Sequence, residues 1–207
     1  MINFIFYALK SFRKCFSHNS TWVVFCMVIL GFIGANEMMG VTSLCRYWGL
    51  GEKGYHMFLN FFRSSAWSLG GIVSCWCGFV ISQNKLISID GRVVLQGDHT
   101  YVPKDGQRMP GVVTLHQNSE TQSKPSYFRG HCWGAIVGLA GSLAAPFGIP
   151  LDVSIHQGFL HIDKENNKKE ATTLGPRIVL MAMKFCLKHN LKCTLTLDAF
   201  FSKRKCF

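Results

Sequence analysis

The sequence contains 11 Asp and Glu in all, few enough for each to be weighed as a chemical group. Most of them, among them Glu37, Glu52, Asp90, Asp105, Asp152, Asp163, Glu165 and Glu170, sit beside Gly, Asn or Lys in segments that should be solvated, where turn and surface roles are expected. Asp98 and Asp198 differ, because each directly follows a short β-rich apolar run: RVVLQG before Asp98 and KCTLTL before Asp198. Carboxylates at the ends of adjacent strands can converge at one edge of a sheet, where hard oxygen ligands hold Mg²⁺. Two such ions, about 3.5–4 Å apart, stabilise the attacking and leaving oxygens of an in-line phosphoryl displacement. The ordinary alternative for both residues is a strand-ending turn or a helix cap.

To bring residues so distant in sequence together, the chain must supply strands, and the pattern after the Asp90-Gly91 turn does so. Residues 92–97, 112–116 (VVTLH), 132–139 (CWGAIVGL) and 153–162 (VSIHQGFLHI) read as strands, separated by polar loops. Residues 174–189 read as a helix: Pro176 stands near its start, basic residues near its end and Asn190 just beyond. Residues 192–197 form a further strand that ends at Asp198. Strands, then a helix packed on them, then another strand describe an α+β or α/β sheet domain of the RNase H-like kind over residues 90–207.

Residues 1–89 read as a separate helical domain. Phe4, Tyr7, Ala8 and Phe12 recur at helical spacing within residues 3–16, and residues 22–33 make a second, buried helix. Residues 40–50 and 55–67 form two short helices about a Gly-containing turn at 51–54. Such a pair suits a helix-turn-helix that reads DNA, and equally a plain helical pair whose Phe58, Leu59, Phe61 and Phe62 are core.

Composition limits the classes that remain. The chain has 207 residues, 22 Lys and Arg, and a formal charge of +11, with 48% apolar and 16% charged residues. Whole-chain disorder is excluded, because disordered chains lack apolar residues to bury. Residues 15–36, 64–84 and 130–151 carry no charged side chain, and Lys10, Arg13 and Lys14 before the first would suit a signal anchor. The unbroken apolar part, 22–35, is too short for the roughly 20 residues of a membrane span. A cleaved secretory signal is not expected either, since a polar HNST segment precedes the run. The 9 cysteines include no CxxC pair and lie mostly in apolar runs, the usage of a reducing compartment. Cys75 and Cys77 lack the second ligand pair a zinc site needs.

Beyond these patterns stands a longer string. From Asp98 the chain reads DHTYVPKDGQRMPG, then LHQ from Leu115 and SETQSKP from Ser119, followed by YFRGHCWG from Tyr127; GVTS at Gly40 and FFRSSAW at Phe61 lie upstream. Together these segments resemble a DDE-type insertion-sequence transposase, in order, over nearly the whole chain. The resemblance implies an RNase H-like domain that cuts DNA at transposon ends and joins the freed 3′-hydroxyl to target DNA. It implies three acidic residues holding two divalent ions, Mg²⁺ or Mn²⁺, with Asp98 matching the first acid and Asp198 the second. The family's third, a Glu on a later helix, has no counterpart: the residues after Asp198 include no acid. The expectation is therefore the N-terminal portion of a transposase, truncated before the third acid, with weak Mg²⁺ binding at Asp98 and Asp198 and no strand cleavage.

The excess of cations points to phosphate. Lys104, Arg108, Lys124 and Arg129, expected in loops, together with Arg46 and Arg63 in the helical domain and the final KRK at Lys203, are the candidates for neutralising DNA. His99, His116 and His131 fall within the matching string and could contact DNA or metal, though none has partners at ligand spacing. The expected partners are DNA, as insertion-sequence ends and target, and a second copy of the chain; no membrane partner is expected. The expected location is the cytoplasm, in association with the nucleoid.

Overall fold

The computed structural model describes residues 2–36, 40–104, 106, 109–116, 127–156, 161–162, 169–170 and 174–198. It is a mixed α/β chain dividing into two compact units, Met1–Ser82 and Gln83–Phe207. The division falls before residue 90 because the connecting residues pair into the sheet: the Ile87 amide donates to Leu139 at 2.7 Å and the Val94 amide donates back to Ile87 at 2.9 Å.

The first unit holds five helices among the described residues: α1 (Ile2–Ser11), α2 (Asn19–Gly34), α3 (Val41–Tyr47), α4 (Glu52–Arg63) and α5 (Leu69–Ser82). A single 3₁₀ turn, Phe12–Cys15, follows α1. Its core is aromatic: Phe12, Phe16, Phe25, Phe58 and Phe61 are all buried, Phe58 completely. Three tryptophans tie the helices by donating their indole N–H to backbone carbonyls, Trp22 to Leu9 at 3.1 Å, Trp48 to Met27 at 3.0 Å and Trp67 to Phe61 at 3.0 Å. An indole that keeps its hydrogen bond can be buried without a desolvation penalty. Helices α3 and α4 are joined through Gly49, at φ +61°, and α4 turns Phe58 and Phe61 inward as core. Phe62, expected in that core, is instead 46% exposed. It shares the spacing of a buried stripe with Phe58 but stands at that stripe's margin, in the last turn of α4, where Gly54, Phe58 and Phe61 are the residues buried. Among the described residues no helix is long and apolar enough to cross a membrane.

The second unit is built on β2 (Arg92–Pro103), β4 (Tyr127–Ser142), β5 (Ala145–Ile155) and β8 (Cys193–Leu197), with the short β1 (Ser88–Ile89) and β3 (Val113–His116) added at β2 and β4. The strands run in the order β5-β4-β2-β8, antiparallel except for β2 and β8, which are parallel. Asp90 and Gly91, at φ 51° and 71°, make the tight turn into β2 that a two-residue hairpin loop requires. A separate small pair, β6 (His161–Ile162) and β7 (Lys169–Glu170), stands apart from this sheet.

The strands differ from the expected runs in extent. β2 continues six residues past Gly97, so Asp98 lies inside a strand instead of at its end. β5 occupies residues 145–155 where a strand was expected at 153–162, because Ser142 to Ala145 closes a hairpin directly onto β4. The segment 143–150 (LAAPFGIP) is Pro- and Gly-rich and carries no strand signal of its own, and an edge strand tolerates Pro where its N–H faces away from the ladder.

The helix α6 (Leu174–His189) forms where its start and stop signals predict it. Ile178, Met181, Ala182 and Phe185, spaced at i, i+3, i+4 and i+7, are its buried stripe. Ile178 and Phe185 alone contribute about 1.5–3 kcal/mol each from burial. The helix closes at Asn190, in the left-handed region at φ 50°, where the Leu191 amide donates to Cys186 at 3.0 Å.

Candidate functional site

The pairing of β2 with β8 decides where the two aspartates stand. Val93 pairs with Cys193, Leu95 with Leu195 and Gly97 with Leu197. Continuing that register by one position sets Asp98 beside Asp198, on strands about 4.7–4.9 Å apart. Asp98 also accepts a hydrogen bond from the His99 amide at 2.7 Å.

Which face they share follows from Gly97. A Cβ there would collide with Ile178 of α6 and lie 2.8 Å from Leu197, so Gly97 and Leu197 both look toward the helix. Successive residues of a strand alternate faces, which puts Asp98 and Asp198 together on the opposite side. Both are exposed. Thr100 and Thr196 share that parity on β2 and β8, and the Thr196 hydroxyl donates to the Leu95 carbonyl at 3.0 Å.

Two neighbouring carboxylates on an open face are suitable donors for a hard divalent cation, but they are a partial set. Among the described residues no group of three or more His, Cys, Asp or Glu side chains is positioned to hold a metal ion.

The other face carries a different cluster. His99 pairs across the sheet with Gly134, and the ring of His156 packs directly against that glycine, which leaves no room for a side chain. His99 Nε2 and His156 Nδ1 are 2.7 Å apart, their ring centroids at 4.8 Å, and His156 is held by its own amide donating to Cys132 at 2.8 Å. Burial, then the neighbouring His156 and Arg177 of α6, push the His99 pKa down to about 4; burial and Arg177 lower that of His156 as well. Burial likewise lifts the Cys132 thiol to about 11. These are neutral, packed groups at working pH.

The remaining sequence candidates are dispersed. Lys104 lies at the end of β2, its amide donating to the Arg129 carbonyl at 3.0 Å. Arg129 is exposed, but within β4 and not in the expected loop, since β4 starts at Tyr127 to pair with β3. Arg46 and Arg63 are exposed at the C-terminal ends of α3 and α4. Arg108, Lys124 and the KRK at Lys203 lie outside the described residues. His131 is buried, its Nε2 2.9 Å from the Pro110 carbonyl, and His99 is turned away from Asp98; neither is placed as a partner for it. His116 is described only as part of β3. His156 was missed by sequence reasoning, because its partner is 57 residues away and only the β4–β5 register brings them together.

No protein-family model, curated protein or solved structure matches the chain.

Proposed function

We propose that this chain acts on DNA as a catalytically incomplete DDE-type insertion-sequence transposase, with an RNase H-like sheet unit in which Asp98 and Asp198 are two of the family's three acids for Mg²⁺ or Mn²⁺. The observation that carries the reading is the parallel pairing of β2 with β8, whose register, continued by one position past Gly97 and Leu197, would bring the two carboxylates to neighbouring places although they are far apart in sequence. The succession of three antiparallel strands, a packed helix and a strand parallel to the first supports it. So does the matching string that begins at Asp98.

A bound divalent ion would polarise the scissile phosphate and lower the pKa of an attacking water or 3′-hydroxyl. The role of Asp98 and Asp198 is to hold that ion against the sheet, with the rigid strands fixing their separation. Two carboxylates by themselves bind a divalent ion weakly and leave in-line chemistry poorly aligned. The chain as it stands therefore binds DNA without cutting it, as a non-catalytic competitor for insertion-sequence ends. Lys104, Arg129, Arg46 and Arg63 supply the phosphate contacts, a second copy of the chain bridges paired ends, and the working location is the cytoplasm at the nucleoid.

The test is a binding and nicking assay on a duplex carrying the ends of the element that encodes the chain, with Mg²⁺. Retarded DNA without nicks, with affinity falling steeply as salt rises, is the expected result. Nicking at the ends would overturn the two-acid argument, and binding insensitive to salt would overturn the DNA reading.

A further inference from the structure

Helix α6 carries two apolar stripes, and the sheet covers one of them. Ile178, Met181, Ala182 and Phe185 are buried where the helix lies on β2 and β4. On the same helix Leu180, Met183 and Leu187 are 48%, 53% and 79% exposed. With successive residues about 100° apart, these three fall within about 60° of one another and stand opposite the middle of the buried stripe. Their spacing, i, i+3 and i+7, makes a straight seam of two turns, about 10 Å long. The seam also has a charged margin. Lys184 and Lys188, both exposed, lie on one side of it, and Arg177 falls on that same side nearer the start of the helix. No acidic residue occurs in α6 to answer them.

The shape and the charge of this face select among occupants. A narrow seam with a, d, a spacing is the geometry by which one helix sets its side chains into the holes of another, and Arg177 and Lys184 then take e positions, where interhelical ion pairs choose the partner. A bilayer surface calls for a broad apolar face with cations on both margins, whereas the second margin here is Val179 and Cys186. A DNA backbone would engage the lysines and leave Leu180, Met183 and Leu187 in water. A second copy of the chain brings the same cations, and the same charge of +11, to the contact. An amphipathic helix whose apolar seam is edged with Glu or Asp satisfies the seam and the charge together.

We propose that the outer face of α6, formed by Leu180, Met183 and Leu187 with Lys184 and Lys188 at its margin, is the docking site for an acidic amphipathic helix of another protein. Leu187, the most exposed of the three, has the most apolar surface to lose to the partner. The lysines set the partner's orientation, because its acidic margin must lie on the side of Lys184 and Lys188. The face is turned away from the sheet, so an occupied α6 leaves the side of β2 that carries Asp98 uncovered. The inference is therefore independent of the metal and DNA chemistry proposed above.

The experiment uses the native 207-residue chain and a fluorescein-labelled synthetic peptide of about three heptads, with Leu at a and d, Glu at e and g and Ala elsewhere. A control peptide carries Gln in place of every Glu. Anisotropy titrations should show saturable binding of the Glu peptide, about tenfold tighter than the Gln peptide and weakening as salt rises. Met183→Gln and Leu187→Gln should each weaken that binding by about tenfold, and Lys184→Gln should shrink the preference for Glu over Gln severalfold. All three replaced side chains are exposed and Gln suits a helix, so thermal melts should match the parent. No binding of the Glu peptide, equal binding of both peptides, or binding undiminished in Leu187→Gln overturns the proposal. So does sedimentation of the chain with phosphatidylglycerol vesicles that Leu187→Gln abolishes, or a dimer in analytical ultracentrifugation that the same substitution dissociates, since either gives this face a different occupant.

Discussion

Asp98 and His99 are neighbours in the chain and opposites in the fold. His99 is turned under α6, bonded to His156 and held neutral by burial, while Asp98 is exposed on the open side of the same strand, one residue past the pairing of Gly97 with Leu197 that leads to Asp198. One residue of pleat separates a structural polar pair from a pair of exposed carboxylates. In this sheet residue type alone does not assign a role. Parity along β2 and β8, fixed by which side α6 covers, assigns it.

The covered face should answer to packing and the open face should not. Ile178→Ala removes a completely buried side chain between α6 and Gly97, and about 2–5 kcal/mol of stability should be lost, read as a lowered urea midpoint. Asp98→Asn, one residue from Gly97 but on the other side, should change stability by no more than about 0.5 kcal/mol in the same assay. Equal losses would mean that the two faces are not distinct. Gly97→Ala follows in size. Its Cβ would push into Ile178 and Leu197, and overpacking of this kind costs about 1–3 kcal/mol. A neutral Gly97→Ala would show that α6 does not lie against β2 as described.

The buried histidines give the covered face a pH signature. From the ordinary value of 6.5 down to about 4, the unfolded chain takes up a proton at His99 that the folded chain refuses. Stability must then fall as pH drops through that window and level off below it. His156 acts in the same direction. Urea unfolding of the sheet unit followed across this range should show the decline, and His99→Gln should flatten it. A decline of the same size in the variant would place its source elsewhere. The smallest effect belongs to the exposed cations: replacing Arg129 or Lys104 by Ala should reduce the slope of log affinity for DNA against log salt by about one each, with little change in folding.

Helix α6 was fully legible in the sequence, since Pro176, the apolar stripe and Asn190 are local signals that tertiary context did not override. Asp98 and Asp198 could be singled out because each follows a β-rich run. What local patterns could not supply was their relation: that β2 and β8 are neighbours, parallel and paired in register up to Gly97 and Leu197, one residue before each aspartate, is a long-range fact. The His99–His156 pair was hidden for the same reason. The edge strand β5 was misplaced because its first half is Pro- and Gly-rich, and only the hairpin with β4 makes it extended. In the helical unit Phe62 carried the right residue type and spacing for the core, but it stands at the margin of the stripe that Gly54, Phe58 and Phe61 bury.

In the proposed function Asp98 and Asp198 hold one cation between them. The most direct test of this is Mn²⁺ titrated into the isotopically labelled chain, followed by paramagnetic broadening of amide resonances. Residues 97–99 and 197–198 should broaden together at the same Mn²⁺ concentration, and Asp98→Asn should abolish the effect at both strands. Broadening at one strand alone, or at residues 197–198 undiminished in Asp98→Asn, would contradict it.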